Sequence, residues 1–320
     1  MLAYKQRLQA IDPHVNYLMS LYLHPSITPE TVHQAKAAGI AGIKSYPAGV
    51  TTNSSSGVLD YASFYPVFAA MEAVDLVLNL HGESPPSPRS SSDADTDADN
   101  AITVLNAEAA FLPTLLDLHH RFPKLRIVLE HCTTSAAIAA VRSCGPNVVG
   151  TITAHHLFLT VDDWAGDPIN FCKPVAKLPA DRLALLRAAV DGSGKFFFGS
   201  DSAPHLLGAK RGTDAAKCAA GVFTQPYVVG YVLEAFEAGV QRGLIKRESV
   251  AREVLEGFLG GFGRRFYGVS NAKDRIKMKR DGVVVKNVDV KTSGAGRDDV
   301  GNSMVVSFRS GKATYSVEWI

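Results

Sequence analysis

Four short apolar runs in this chain each lead into a polar side chain of a kind used in catalysis, and this repetition constrains the fold more than any other feature. Gly42-Ile43-Lys44 ends in a lysine, Leu76 to Leu80 delivers His81, Ile127 to Glu130 delivers His131, and Phe196-Phe197-Phe198 leads through Gly199-Ser200 to Asp201. Each run is β-rich, short and followed by a helical pattern, which is how buried parallel strands alternating with helices read in sequence. Similar runs near residues 20 and 151 bring the predicted strands to six, near 20, 43, 78, 128, 151 and 197. In a βα-barrel the last side chains of such strands share one rim, where the active sites of that architecture lie.

At 320 residues and 46% hydrophobic content, the chain can bury a core of barrel size. Its 33 basic and 31 acidic residues leave a net charge of +2. No field of that size draws nucleic acid or a membrane surface, so a small-molecule substrate is expected. The four cysteines, Cys132, Cys144, Cys172 and Cys218, lie far apart with no C-x-x-C pair. Neither a disulfide framework nor a zinc knuckle is indicated. The N-terminal residues lack the apolar core of a signal peptide and no later run approaches a membrane span, so a soluble cytoplasmic protein is expected.

In chain order, residues 1 to 12 read as a helix, Asn16 to Leu23 as a strand, and Thr28 as the start of a helix with Pro29 in its first turn. Residues 47 to 57 are rich in glycine, serine and threonine and read as a loop whose hydroxyls reach a ligand. Residues 84 to 100 carry too little apolar content to pack and read as a disordered insertion. Their aspartates at 93, 95, 97 and 99 lack the glycine and distal glutamate of a calcium loop, which favours a solvated linker. Helices are expected over 60–73, 107–121, 135–142, 179–190 and 224–239. After Gly268 the pattern changes to short β-runs at 283–285, 304–308 and 314–319. The chain therefore divides in sequence into a barrel over 1–268 and a small β-containing appendage over 269–320.

A lysine at a strand end is the unusual member of the rim set. As an ammonium it cannot ligate a metal, but a carbamate formed from its amine and carbon dioxide offers two oxygens, enough to bridge two zinc ions. His81 and His131, as neutral imidazoles, suit one zinc, and Asp201 suits the second and can take the proton from a metal-bound hydroxide. Each residue alone is more often structural, but four together at strand ends favour a site. His155 and His156 follow the strand near 151 and fit a supporting position better than a ligand position. His14, His24, His33, His119 and His120 fall on loops or helical surfaces and receive no role.

Several motifs then resemble one family in order and spacing. They are Lys44-Ser45-Tyr46-Pro47-Ala48 with Thr51-Thr52-Asn53-Ser54-Ser55, His81-Gly82-Glu83, Glu130-His131-Cys132-Thr133-Thr134, and Asp201-Ser202-Ala203-Pro204-His205. Together they resemble the single-function dihydroorotases of bacteria and fungi, within the amidohydrolase superfamily. The resemblance implies a TIM-type (β/α)8 barrel and reversible interconversion of dihydroorotate and N-carbamoyl-L-aspartate in pyrimidine synthesis. It also implies two zinc ions, a carboxylated Lys44 bridging them, His81 and His131 on one zinc, and Asp201 as ligand and general acid/base. Thr51 and Thr52 would lie on a loop closing over substrate, His205 would contact the substrate carboxylate, and main-chain groups of Lys173 and Ala220 would touch the ring. A homodimer is implied as well.

The resemblance also carries a departure. Family members begin with a strand bearing His-x-His and an arginine, then a second strand ending in asparagine. The sequence holds no His-x-His pair. The first two βα units are therefore expected to be missing from this chain, which would hold at most one zinc well and show little dihydroorotase activity. Two other readings compete. A hydantoinase or allantoinase shares the bridging lysine but not the Thr51–Ser55 and Ser202–His205 motifs. A catalytically inactive scaffold subunit has no physical reason to keep Lys44, His81, His131 and Asp201.

Overall fold

The first crossover forms where the sequence supplies both a cap and a stop. The Thr28 side chain accepts from Thr31 N at 3.2 Å and Pro29 occupies the first turn, so the helix Pro29–Ala37 starts there. It joins strand β1 (Ser20–Tyr22) to strand β2 (Gly42–Ser45), which pair in parallel with Tyr22 opposite Lys44. The structure is a computed structural model that describes residues 1–51, 54, 56–86, 101–211, 218–270, 272, 274–290 and 303–320.

The described chain divides into two compact units, one of residues 1–130 and 140–149, the other of residues 131–139 and 150–320. In the first, β2 pairs in parallel with β3 (Val77–His81), and β3 with β4 (Ile127–Glu130). The register sets Lys44 opposite Asn79 and His81 opposite Glu130. All residues of β2 and β3 are buried, as parallel strands covered on both faces require. The 3-10 turn Tyr61–Phe64 runs into the helix Tyr65–Ala73, which packs Phe68 and Met71 into the core. The helix Ala107–Arg121 follows, and the segment 84–100 that precedes it lies mostly outside the described residues.

In the second unit, strand β5 (Val148–Ile152) contributes Gly150 to Ile152, which pair in parallel with β6 (Phe196–Phe198). Helices Pro179–Ala189 and Val228–Gln241 belong to the same unit, the latter burying Tyr231 and Phe236 completely. The Tyr231 hydroxyl donates to the Phe308 carbonyl at 2.6 Å and so ties the C-terminal residues to this helix. Those residues form an antiparallel pair, β7 (Ile276–Val284) with β10 (Ala313–Trp319), and a two-residue pair, β8 (Val288–Asp289) with β9 (Met304–Val305).

The six parallel strands lie where the apolar runs predict them, and the differences are confined to segments where local pattern is weak. The first strand is three residues long instead of eight. Strand β7 starts at Ile276, well before the expected run at 283, because its lysines and arginine occupy the solvated face of a two-stranded ribbon. Residues 252–267, which carry no predicted helix, form two short helices around a π-turn, Gly257–Gly261. A Cβ at Gly257 would lie 2.3 Å from the Phe262 ring, so that glycine permits ring packing.

Candidate metal and substrate site

The parallel register of the first unit brings Lys44, His81 and Glu130 to the ends of three adjacent strands. Lys44 Nζ forms an ion pair with Glu130, and both ends of that pair are largely withdrawn from solvent. His81, at 1% exposure, sits within 2.8 Å of Glu83 through its Nε2. The Tyr46 ring joins the two, its centroid 4.9 Å from Lys44 Nζ and 5.8 Å from the His81 ring. Ser45, between Lys44 and Tyr46, shares a 2.9 Å hydrogen bond with the Tyr61 hydroxyl, and burial pushes that phenol up to about 12.

Burial and the Lys44 ammonium hold His81 below the ordinary imidazole range, although Glu83 and Glu130 pull the other way. Desolvation wins because the ring is almost wholly removed from water. A neutral imidazole is the form that takes a divalent metal, since a ligating histidine must be unprotonated. His81 is therefore in the protonation state a metal ligand needs, and Glu83 fixes its ring.

His131 and Asp201 belong to the second unit. His131 is buried, and its main-chain N–H donates to Thr151 Oγ1 at 2.7 Å while Cys132 N donates to the Thr151 carbonyl at 2.9 Å. Both residues adopt left-handed backbone, φ 46° at His131 and φ 40° at Asp201. For residues other than glycine that conformation costs on the order of 1–3 kcal/mol, and such strain gathers at sites of function. Asp201 itself is exposed.

Of the expected substrate residues, His205 and Ala220 are in contact, His205 Nε2 lying 3.0 Å from the Ala220 carbonyl. The Thr51 main-chain N–H donates to Ser54 Oγ at 2.9 Å, and Ser54 Oγ donates to the Thr51 carbonyl at 2.7 Å, a closed turn within the loop. Lys173 is half-buried, and Thr52 lies outside the described residues.

The two histidines given a supporting position occupy a denser environment than their sequence suggests. His155, His156 and Cys172 are all buried, with ligand atoms within 4.8 Å of one another, a grouping able to hold a soft metal. His156 is already engaged, by the Thr153 hydroxyl at 2.8 Å and the Pro174 carbonyl at 3.0 Å, while neither ring nitrogen of His155 has a hydrogen-bond partner among the described residues. Burial drives His155 well below the usual imidazole range and His156 down to about 4. The sequence reading also passed over Glu130 as the partner of Lys44, Thr151 as the clamp on His131, and Lys210. Only Glu130 left a signal, as the acidic end of an apolar run.

The amidohydrolase family model matches residues 23–269. The chain is 50% identical over 285 residues to a probable dihydroorotase of Schizosaccharomyces pombe, covering 89% of this chain and 76% of that one. It is 44% identical over 333 aligned residues to the dihydroorotase of Saccharomyces cerevisiae, covering 99% and 84%. The crystal structure of Saccharomyces cerevisiae dihydroorotase in complex with 5-fluoroorotic acid superposes with a TM-score of 0.84 at 42% identity, covering 99% of this chain and 84% of that one. An L-hydantoinase from Arthrobacter aurescens gives a TM-score of 0.70 at 16% identity, over 95% of this chain and 69% of its own, a likeness of fold alone.

Proposed function

The chain belongs to the dihydroorotases of the amidohydrolase family, and from that membership we propose that Lys44, His81, His131 and Asp201 hold zinc, with Asp201 also the acid/base. The fold is a six-stranded part of that family's α/β barrel, and the activity is hydrolysis of a cyclic amide with a metal cofactor. The substrate is a small molecule, dihydroorotate in one direction and N-carbamoyl-L-aspartate in the other.

The observation that carries the reading is the cluster of buried Lys44 and His81 with half-buried Glu130. As an ammonium, Lys44 pairs with Glu130. Carboxylation converts it: the neutral amine adds to carbon dioxide and loses a proton, leaving an anion with two oxygens. Two anions beside a neutral His81 need a cation between them, which supports a metal at this point. Bound there, zinc would polarise the amide carbonyl and lower the pKa of water. Glu83 keeps His81 oriented, and Tyr46 excludes water from the lysine stem. Asp201 receives a proton from the attacking water and returns it to the departing ring nitrogen. His205, Thr51, Thr52 and the main chain at Lys173 and Ala220 bind the substrate anion. Residues 269–320 are read as an appendage to a barrel over 1–268, and the protein as a cytoplasmic homodimer.

The sequence holds no His-x-His pair, so at most one zinc is expected to be held well, the one that His81 and His131 suit. Purified chain assayed with dihydroorotate, hydantoin and allantoin, before and after chelation, tests the assignment. Expected are slow turnover of dihydroorotate alone, its loss on chelation and recovery with zinc, and a carbamate signal by 13C NMR in labelled bicarbonate. Preference for hydantoin or allantoin, or turnover that survives chelation, would remove the reading.

A further inference from the structure

Lys210 is buried to 4% exposure on the short helix Leu207–Arg211. Its ammonium donates to three main-chain carbonyls, Phe171 at 2.7 Å, Ala219 at 3.0 Å and Gly221 at 2.7 Å. An ammonium has three donors, so all of its hydrogen-bonding capacity is spent on two chain segments distant in sequence. One segment, at 171, leads into Lys173. The other brackets Ala220, with a bond on either side of it.

We infer that Lys210 is a positioning residue for substrate: its three bonds fix the main chain at Ala220 and Phe171 in the arrangement that receives the substrate carboxylate and ring. The inference rests on the proposed roles of His205, Lys173 and Ala220. Three further contacts show how tightly this strap is defined. The Gly221 N–H donates to the same Phe171 carbonyl at 3.0 Å, and the Ala219 N–H donates to the Ala209 carbonyl at 3.0 Å. His205 Nε2 holds the Ala220 carbonyl at 3.0 Å. Gly221 has φ +156°, and a Cβ there would lie 2.5 Å from Ala203 Cβ and 2.9 Å from His205 Cδ2, so the strap passes His205 with no room to spare.

A buried cation whose three hydrogen bonds all go to carbonyls is costly as a stability device, because a methylene chain of the same length would fill the space without desolvating a charge. What the ammonium adds is direction. It draws three carbonyl oxygens toward one point, which turns the intervening Ala220 peptide and holds it there before substrate arrives.

Substituting Lys210→Met keeps the stem and removes the donors. Binding of 5-fluoroorotate and steady-state hydrolysis of dihydroorotate are measured on the zinc-loaded chain, with thermal unfolding as the control. Interactions made equally in the ground and transition states act on KM alone. The expected result is therefore a rise of about tenfold or more in both Kd and KM, with kcat within about threefold of the parent. Lys210→Arg keeps a cation, but its planar fork cannot cap three converging carbonyls, so it folds and rescues only part of the affinity. Unchanged Kd and KM in a folded Lys210→Met or Lys210→Arg chain would overturn the inference. So would loss of fold in both variants, which would assign Lys210 to stability alone. Failure of the parent chain to bind 5-fluoroorotate and to hydrolyse dihydroorotate would instead remove the functional reading, and this inference with it.

Discussion

Two buried histidine clusters, one in each unit, reach the same protonation state in different surroundings. In the first, His81 lies among charges: Glu83 touches it, and Lys44 and Glu130 stand close by as an ion pair. In the second, His155 and His156 lie among carbonyls, a hydroxyl and the Cys172 sulfur, with ring centroids 4.4 Å apart. Burial lowers the pKa in both places, but at His81 the carboxylates offset part of it, and at His155 no carboxylate does. The charged cluster can exchange its own cation for a metal and stay balanced. The neutral one is committed to the unprotonated state chiefly by desolvation, to which Lys210 adds at His155 and Lys177 at His156.

The largest separation between the two should come from Lys44→Met. We expect dihydroorotate turnover to fall by about 10³-fold, the order seen when a principal electrostatic group leaves an active site. With the ammonium gone the His81 pKa should rise, since Lys44 is among the groups that lower it. NMR titration of the ring reads that change, and an unaltered acid response of the second cluster would show the two to be independent.

Acid provides the next test, on metal-free chain. His156 titrates at about 4 when folded against an ordinary 6.5, so between those values the unfolded chain binds the extra proton. Stability is fully present above pH 6.5 and is lost as pH falls through the window toward 4. The loss is on the order of 3 kcal/mol from this residue. Urea unfolding at stepped pH measures it, and in His156→Gln the slope across that window should shrink. A slope the variant leaves intact would assign the acid response elsewhere.

The smallest effect is expected from Glu83→Gln, which keeps the shape of the group that orients His81 and removes its charge. Zinc affinity should fall by about 10- to 100-fold, with the fold unchanged by circular dichroism. An equal affinity would mean that packing against Tyr46 alone fixes the ring.

Much of the fold was legible because its determinants are local. Val77 to Leu80 is a short, mostly apolar run that leads into His81, and Thr28-Pro29 carries its own helix start. The helix Ala107–Arg121 was likewise readable from its apolar spacing. Strand β7 was not, because Lys277, Lys279 and Arg280 face water on a ribbon whose other strand lies more than thirty residues on. The site divides in the same way. Lys44 and His81 could be picked out as strand ends, but the pairing of Lys44 with Glu130 spans 86 positions and the carbonyl cage of Lys210 draws on residues 171, 219 and 221.

The sequence by itself determined which side chains stand at the ends of the strands, since side-chain type and backbone period are written residue by residue. Only the tertiary structure decided which of them touch and which stay uncharged. Partner distance and loss of water are properties of packed neighbours, and no local pattern encodes them.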